Sequence, residues 1–160
     1  MKKLTQSAFQ RAKNFIMDHG RVLDQRRFEF HFEDGPSDAV LAALTPYQND
    51  DGGFAHSLEP DIRTPFSSAI VTTVGFQILR EIQAPASHIL VRKGIQYFIT
   101  TYEESQQVWH IVPPEVDDAL TRLGGIMRIV PKLSASFWST PALRLSDIYM
   151  NLAMACRRNC

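Results

Sequence analysis

The chain is short of several things, and each shortage removes a class of answer. Cysteine is scarce: of 160 residues only Cys156 and Cys160 are cysteine, both at the far C-terminus. A disulfide framework is not implied, and a C-x-x-x-C pair with no His or further Cys nearby is a poor zinc signal. Surplus charge is lacking too, since 17 Lys plus Arg balance 17 Asp plus Glu. No global field therefore favours nucleic acid or an anionic membrane. No apolar run approaches the ~20 residues that a bilayer-spanning helix needs. The opening Met1-Lys2-Lys3-Leu4-Thr5-Gln6 has two basic residues but no apolar stretch behind them. A signal peptide is not expected, and cytoplasmic residence is the default.

What is there is a hydrophobic content of 44%, enough for one globular domain with a real core. Phe9, Ala12, Phe15 and Ile16 recur at helical spacing and predict a helix from Ser7 to His19, with Gly20 as its stop. Phe28, Phe30 and Phe32 alternate, which predicts an extended segment over Arg21–Phe32. After the Asp34-Gly35-Pro36 turn, Ser37 caps a helix that Pro46 limits. Thr64-Pro65 predicts the start of a helix running to about Ile82. Ser87 caps another, through Ile99 or Tyr102, and Val108 to Val112 reads as a short extended piece. The expected class is all-α, with helices joined by Gly-rich turns and no convincing sheet, as in a helical repeat array. No second copy of the repeat is visible.

The segment Tyr47-Gln48-Asn49-Asp50-Asp51-Gly52-Gly53-Phe54 is turn chemistry between apolar stretches. It resembles the Q-x-x-D-G-G-F or Q-x-x-D-G-x-W turn of the α/α-toroid superfamily, which includes terpenoid cyclases and protein prenyltransferase β subunits. The following Leu58-Glu59-Pro60-Asp61-Ile62-Arg63-Thr64-Pro65-Phe66-Ser67-Ser68 is similar to a bacterial prenyltransferase-like branch. The resemblance runs from about Ala12 to Ala119 and implies a partial α/α toroid. It implies a structural role for the turn: Gln48 bonds exposed helix ends, Asp51 caps or holds the turn, Gly52 and Gly53 permit positive φ, and Phe54 staples the turn to the core.

The resemblance stops at Ala119, where members of that branch continue with Pro-His-Ala-Pro-Trp-Trp. Here the chain reads Leu120-Thr121-Arg122-Leu123-Gly124-Gly125-Ile126-Met127. Those residues can be encoded CTC ACG CGC CTT GGT GGA ATT ATG. With one C in front, the same bases regroup to Pro-His-Ala-Pro-Trp-Trp-Asn-Tyr. Tryptophan has a single codon, so recovering two in succession is demanding. Leu133 to Tyr149 regroups likewise to Phe-Gly-Glu-Phe-Leu-Val-Asn-Pro-Arg-Ala-Glu-Ile-Val-Gly-Tyr-Leu. The expected organisation is thus an N-terminal portion of a toroid domain over 1–119 and an out-of-frame tail over 120–160. A toroid reduced to its first helices leaves apolar faces uncovered, which predicts self-association.

The resemblance makes Glu59 and Asp61 the candidate catalytic carboxylates, able to protonate an alkene or stabilise a carbocation, with Arg63 and His56 as candidate substrate-binding groups. The structural alternative is an ion pair in which Arg63 bridges Glu59 or Asp61. Asp117 and Asp118, next to Glu115, match neither the Asp-x-Asp-Asp acid nor an Asp-rich magnesium site, so a capping or turn role is expected. His56 and His110 could be ligands or proton carriers, with a hydrogen-bonded surface role as the alternative; His19, His31 and His88 offer no metal spacing, and the zinc site of protein prenyltransferases is not supported because no Cys precedes residue 120. No metal is expected and no cofactor is assigned. The implied partner is a small apolar or isoprenoid substrate, with no nucleic acid and no membrane span, and the chain alone is expected to lack a complete active site. A glycan-acting α/α-barrel enzyme, for which paired carboxylates and Trp-Trp would suit sugar stacking, stays open. So does a non-catalytic toroid scaffold that binds an apolar ligand or a partner.

Overall fold

A computed structural model describes residues 4–110 and the strand Leu133–Ser134. Among these residues the fold is mostly helical, with five α-helices and a small three-stranded sheet. No helix among them is long and apolar enough to cross a membrane.

Helix α1 spans Gln6–His19, and its cap is Thr5 rather than Ser7, the Ala8 N–H donating to Thr5 Oγ1 at 3.2 Å. Gly20 ends it, as its position predicts. Helix α2 covers Val22–Phe32 and corrects the extended reading of this stretch. The alternating phenylalanines are also an i, i+4 pair: Phe28 and Phe32 share one helix face, 4.9 Å between ring centroids, and Phe9 of α1 completes the cluster at 5.7 and 5.8 Å. Phe30 lies off that face and packs against the main core instead. Leu, Gln, Arg and Glu around the rings are good helix formers, and they outweigh a period of two sustained over only five residues.

Helix α3 runs Ser37–Leu44 and passes into a 3₁₀ turn, Thr45–Tyr47, at Pro46. Helix α4 covers Ala69–Glu81, four residues later than Pro65 suggests. Residues 64–67 are held out of helix because their polar groups are already engaged. The Thr64 carbonyl accepts from the His56 N–H at 3.0 Å, and the Pro65 carbonyl accepts from Asn49 Nδ2 at 2.9 Å. Ser68 is therefore the cap, its Oγ accepting from the Val71 N–H at 3.3 Å. Helix α5, Ile89–Thr101, is capped by His88 Nδ1 rather than Ser87. The two helices approach closely, since a Cβ on Gly94 would lie 2.5 Å from the Phe76 ring.

The core is built from both helix pairs, with Val40 and Leu44 of α3, Val71 of α4 and Phe54 from the intervening turn all excluded from solvent. After α5 the chain forms β1, Tyr102–Glu103, and β2, Val108–Trp109, paired antiparallel with Tyr102 opposite Trp109. The sheet is a correction to the expectation of none, although the extended piece at Val108 was legible. Trp109 Nε1 donates to the Phe98 carbonyl at 2.7 Å and so ties the hairpin to α5. The third strand, β3, is Leu133–Ser134, antiparallel to β2 with Val108 opposite Ser134. It belongs to the stretch read as out of frame, and its backbone pairs with β2 all the same. Glu115, Asp117, Asp118 and the rest of the 120–160 stretch lie outside the described residues.

Candidate functional site

The turn at residues 47–54 joins α3 to the core through hydrogen bonds at nearly every polar position. Gln48 Nε2 donates both to the Gly52 carbonyl at 3.0 Å and to the Leu90 carbonyl of α5 at 2.9 Å, a link across 42 residues of chain. One side chain thus closes its own turn and fastens it to a distant helix. The Asn49 N–H donates to the Gly53 carbonyl at 2.9 Å, the Gly52 N–H to the Asn49 carbonyl at 3.0 Å, and Gln48 and Phe54 form an antiparallel bridge. Gly52 has φ +89° and its missing Cβ would sit 2.2 Å from the Lys93 carbonyl oxygen, so no other residue fits. Gly53 is squeezed between Ser67 and the Tyr97 ring, where a Cβ would lie 2.4 Å from Ser67 Cβ. Phe54 is fully buried, its N–H donates to Thr72 Oγ1 at 2.9 Å, and its ring lies over Gly75 of α4. These contacts give Gln48, Gly52 and Phe54 structural duties in the turn, whereas Gly53, expected to adopt positive φ, does not and serves instead the close approach of Ser67 and Tyr97.

Asp51 holds the turn rather than capping a helix. Its Oδ1 accepts from the Gly53 N–H at 2.8 Å and from the Ser67 hydroxyl at 2.8 Å. The phenol of the nearby Tyr97 is pushed well above its ordinary range, first by burial and then by the charge of Asp51.

The loop from Ala55 to Ser68 follows directly. Leu58, Ile62 and Thr64 point into the core and anchor it from below, while the residues between them are left toward solvent. Glu59 is half-buried, and His56, Asp61 and Arg63 are exposed. The alternation comes from the sequence, in which an apolar or small residue separates each polar pair. His56 and Ser57 both adopt left-handed backbone, with φ 57° and 62°. Two consecutive non-glycine residues there cost about 1 kcal/mol or more each, and neighbouring groups hold them in place. Arg21, at the α1–α2 junction, donates from Nη1 to the Ser57 carbonyl at 2.8 Å and to the Leu58 carbonyl at 3.3 Å. The rest of its guanidinium forks onto Asp24, at 2.8 and 3.1 Å. That hydrogen bond holds the Asp24 carboxyl below its usual range, against the opposing effect of burial.

The four loop residues singled out by sequence do share one short exposed stretch, but not as an ion pair. Arg63 Nε donates to the Pro60 carbonyl at 3.0 Å, and among the described residues it forms no salt bridge with Glu59 or Asp61. His56 Nε2 instead meets Asn49 Oδ1 at 2.7 Å, which joins the loop to the turn. No group of three or more His, Cys, Asp or Glu side chains among the described residues could hold a metal ion. Sequence reasoning did not single out Asn49, Ser67 or Arg21. Arg21 lies in a stretch read as extended, and its reach to a loop 36 residues away carries no local signal.

No protein-family model, no curated protein and no solved structure matches this chain.

Proposed function

We propose that this chain is the opening portion of an α/α-toroid protein of the terpenoid cyclase and prenyltransferase kind, with loop 55–64 at its ligand-binding mouth and no complete active site of its own. The observation that carries the reading is Gln48, whose side chain closes the Gly-rich turn and ties it to the Leu90 carbonyl of α5. That is the inter-helix fastening which the resemblance assigns to this glutamine. The codon regrouping after Ala119 supports the second half of the reading, because it restores a Trp-Trp continuation. In the complete protein Glu59 and Asp61 supply acid or carbocation-stabilising carboxylates, and His56 and Arg63 contact the substrate, a small apolar or isoprenoid molecule. The exposure of His56, Asp61 and Arg63 leaves them available for such contacts.

The test begins with the gene. Its alternate frame after the Ala119 codon is expected to read Pro-His-Ala-Pro-Trp-Trp, and an unrelated reading sinks the frame argument. A gene with the single base restored is then expressed beside the present chain. The present chain is expected to turn over neither farnesyl diphosphate nor squalene, and turnover by it refutes the claim of an incomplete site. The restored protein is expected to bind a fluorescent isoprenoid analogue, with binding weakened by Glu59→Gln plus Asp61→Asn. Equal binding by the restored protein and this double variant removes the loop from the site.

A further inference from the structure

The turn and the loop are joined by a chain of hydrogen bonds whose direction is fixed at every step. Asn49 Nδ2 donates to the Pro65 carbonyl at 2.9 Å and to Ser67 Oγ at 2.9 Å. A backbone carbonyl only accepts, so the amide of Asn49 cannot be turned round. Its Oδ1, an acceptor, is therefore the atom 2.7 Å from His56 Nε2, and Nε2 must carry the proton. The Ser67 hydroxyl, accepting from Asn49, gives its own proton to Asp51 Oδ1 at 2.8 Å. The donors all run one way, from His56 through Asn49 and Ser67 to the Asp51 carboxylate. Ser67 is 7% exposed and Asn49 half-buried, while His56 and Asp51 at the two ends face solvent. Aligned bonds that end on a negative charge polarise one another.

The geometry points to His56 as a preset proton acceptor, its Nε2–H held by Asn49 and polarised by Asp51 through Ser67, and its Nδ1, which has no hydrogen bond among the described residues, positioned to take a proton from a ligand O–H. The assignment rests on the reading of loop 55–64 as the ligand-binding mouth, and it gives that mouth a base. In the step itself the ligand O–H bond breaks and its proton bonds to Nδ1. The oxygen keeps the electron pair, and the Nε2–H of the imidazolium stays hydrogen-bonded to Asn49 Oδ1. Asn49 and Ser67 are positioning residues.

Two measurements on the full chain test this without any ligand, so they are independent of the turnover and binding assays above. The first is long-range proton–nitrogen NMR of the histidine rings at alkaline pH. His56 is expected to show a protonated Nε2 and a bare Nδ1, and a protonated Nδ1 overturns the assignment. The second is the rate of acylation of His56 by diethyl pyrocarbonate at fixed pH, read by peptide mass spectrometry against the exposed His19. Breaking the chain with Ser67→Ala or Asn49→Ala is expected to slow His56 several-fold, because an unpolarised imidazole is a weaker nucleophile. If the bonds serve only to pin the loop, the same variants free the ring and the rate stays level or rises. That result overturns the proposal. The NMR readout on the parent keeps the test decisive where a variant folds poorly.

Discussion

Helices α1 and α4 are nearly the same length, 14 and 13 residues, and they live in opposite surroundings. Eight residues of α4 are buried, whereas α1 has none that is fully buried. The difference does not come from a lack of apolar residues in α1. Phe9 meets the α2 rings, while Ala8, Ala12 and Phe15 make a second stripe, with Leu4 just ahead of the helix. Leu4 is 68% and Phe15 66% exposed. Among the described residues α4 is packed against α5 and the turn that carries Phe54, and α1 is covered on one side alone. The stable part of this molecule is the region that the Gly-rich turn gathers around α4.

The comparison can be broken most severely at Phe54. Its ring is fully buried over Gly75, and Phe54→Ala leaves a cavity between the turn and α4. The expected loss is about 3–5 kcal/mol of unfolding free energy, measured by urea titration. A loss below about 1 kcal/mol would show that the turn is not the keystone of α4. A smaller effect is expected where α4 meets α2. Glu81 accepts from Arg27 at 2.6 and 3.2 Å and is paired with His31. Burial alone would raise the Glu81 carboxyl, but the hydrogen bonds from Arg27 and His31 outweigh it and bring it below its ordinary value of 4.5. A carboxylate depressed in the folded state contributes stability above its unfolded value, and that stability is lost as pH falls through its folded value. Glu81→Gln is therefore expected to cost about 1 kcal/mol near neutrality after allowance for solvent screening. The gap between variant and parent should close as pH drops below the glutamate range. A gap independent of pH would mean that the carboxylate charge plays no part.

These two sites differ in how far the sequence announced them. Positive φ at Gly52 and an apolar staple at Phe54 were readable because a turn needs them locally, whereas the Leu90 carbonyl that Gln48 finds and the Ser67 and Tyr97 contacts at Gly53 are long-range. Helix existence was readable for α1, α3, α4 and α5 from apolar spacing, whereas α2 was misread because three phenylalanines at alternate positions mimic a strand. The start of α4 was misplaced because nothing local to Pro65 tells that its carbonyl is taken by Asn49, 16 residues earlier. The same holds for the candidate site. Glu59, Asp61, Arg63 and His56 were legible as a polar loop, but Arg21 and Ser67 join it through long-range hydrogen bonds that only the folded chain brings together. Sequence pattern reports periodicity and turn chemistry well, and it reports which distant carbonyl a side chain will find hardly at all.

The mildest intervention sharpens the comparison from the other end. Phe15 lies in the exposed stripe of α1, and its only ring contact among the described residues is with His19, 5.0 Å away on the same helix. Phe15→Ser removes apolar surface that the described fold leaves in water, so unfolding free energy is expected to change by no more than about 0.5 kcal/mol. Its effect should appear instead in association. Phe15 is 66% exposed, and an uncovered aromatic is the kind of surface that drives chains together. Sedimentation velocity across a concentration series is expected to show the parent shifting toward larger species and Phe15→Ser shifting less. Equal association with equal stability would mean that the second stripe of α1 is inert surface. A stability loss as large as that of Phe54→Ala would mean that α1 is packed as tightly as α4. Either result would erase the distinction between the two helices, and only a change confined to association preserves it.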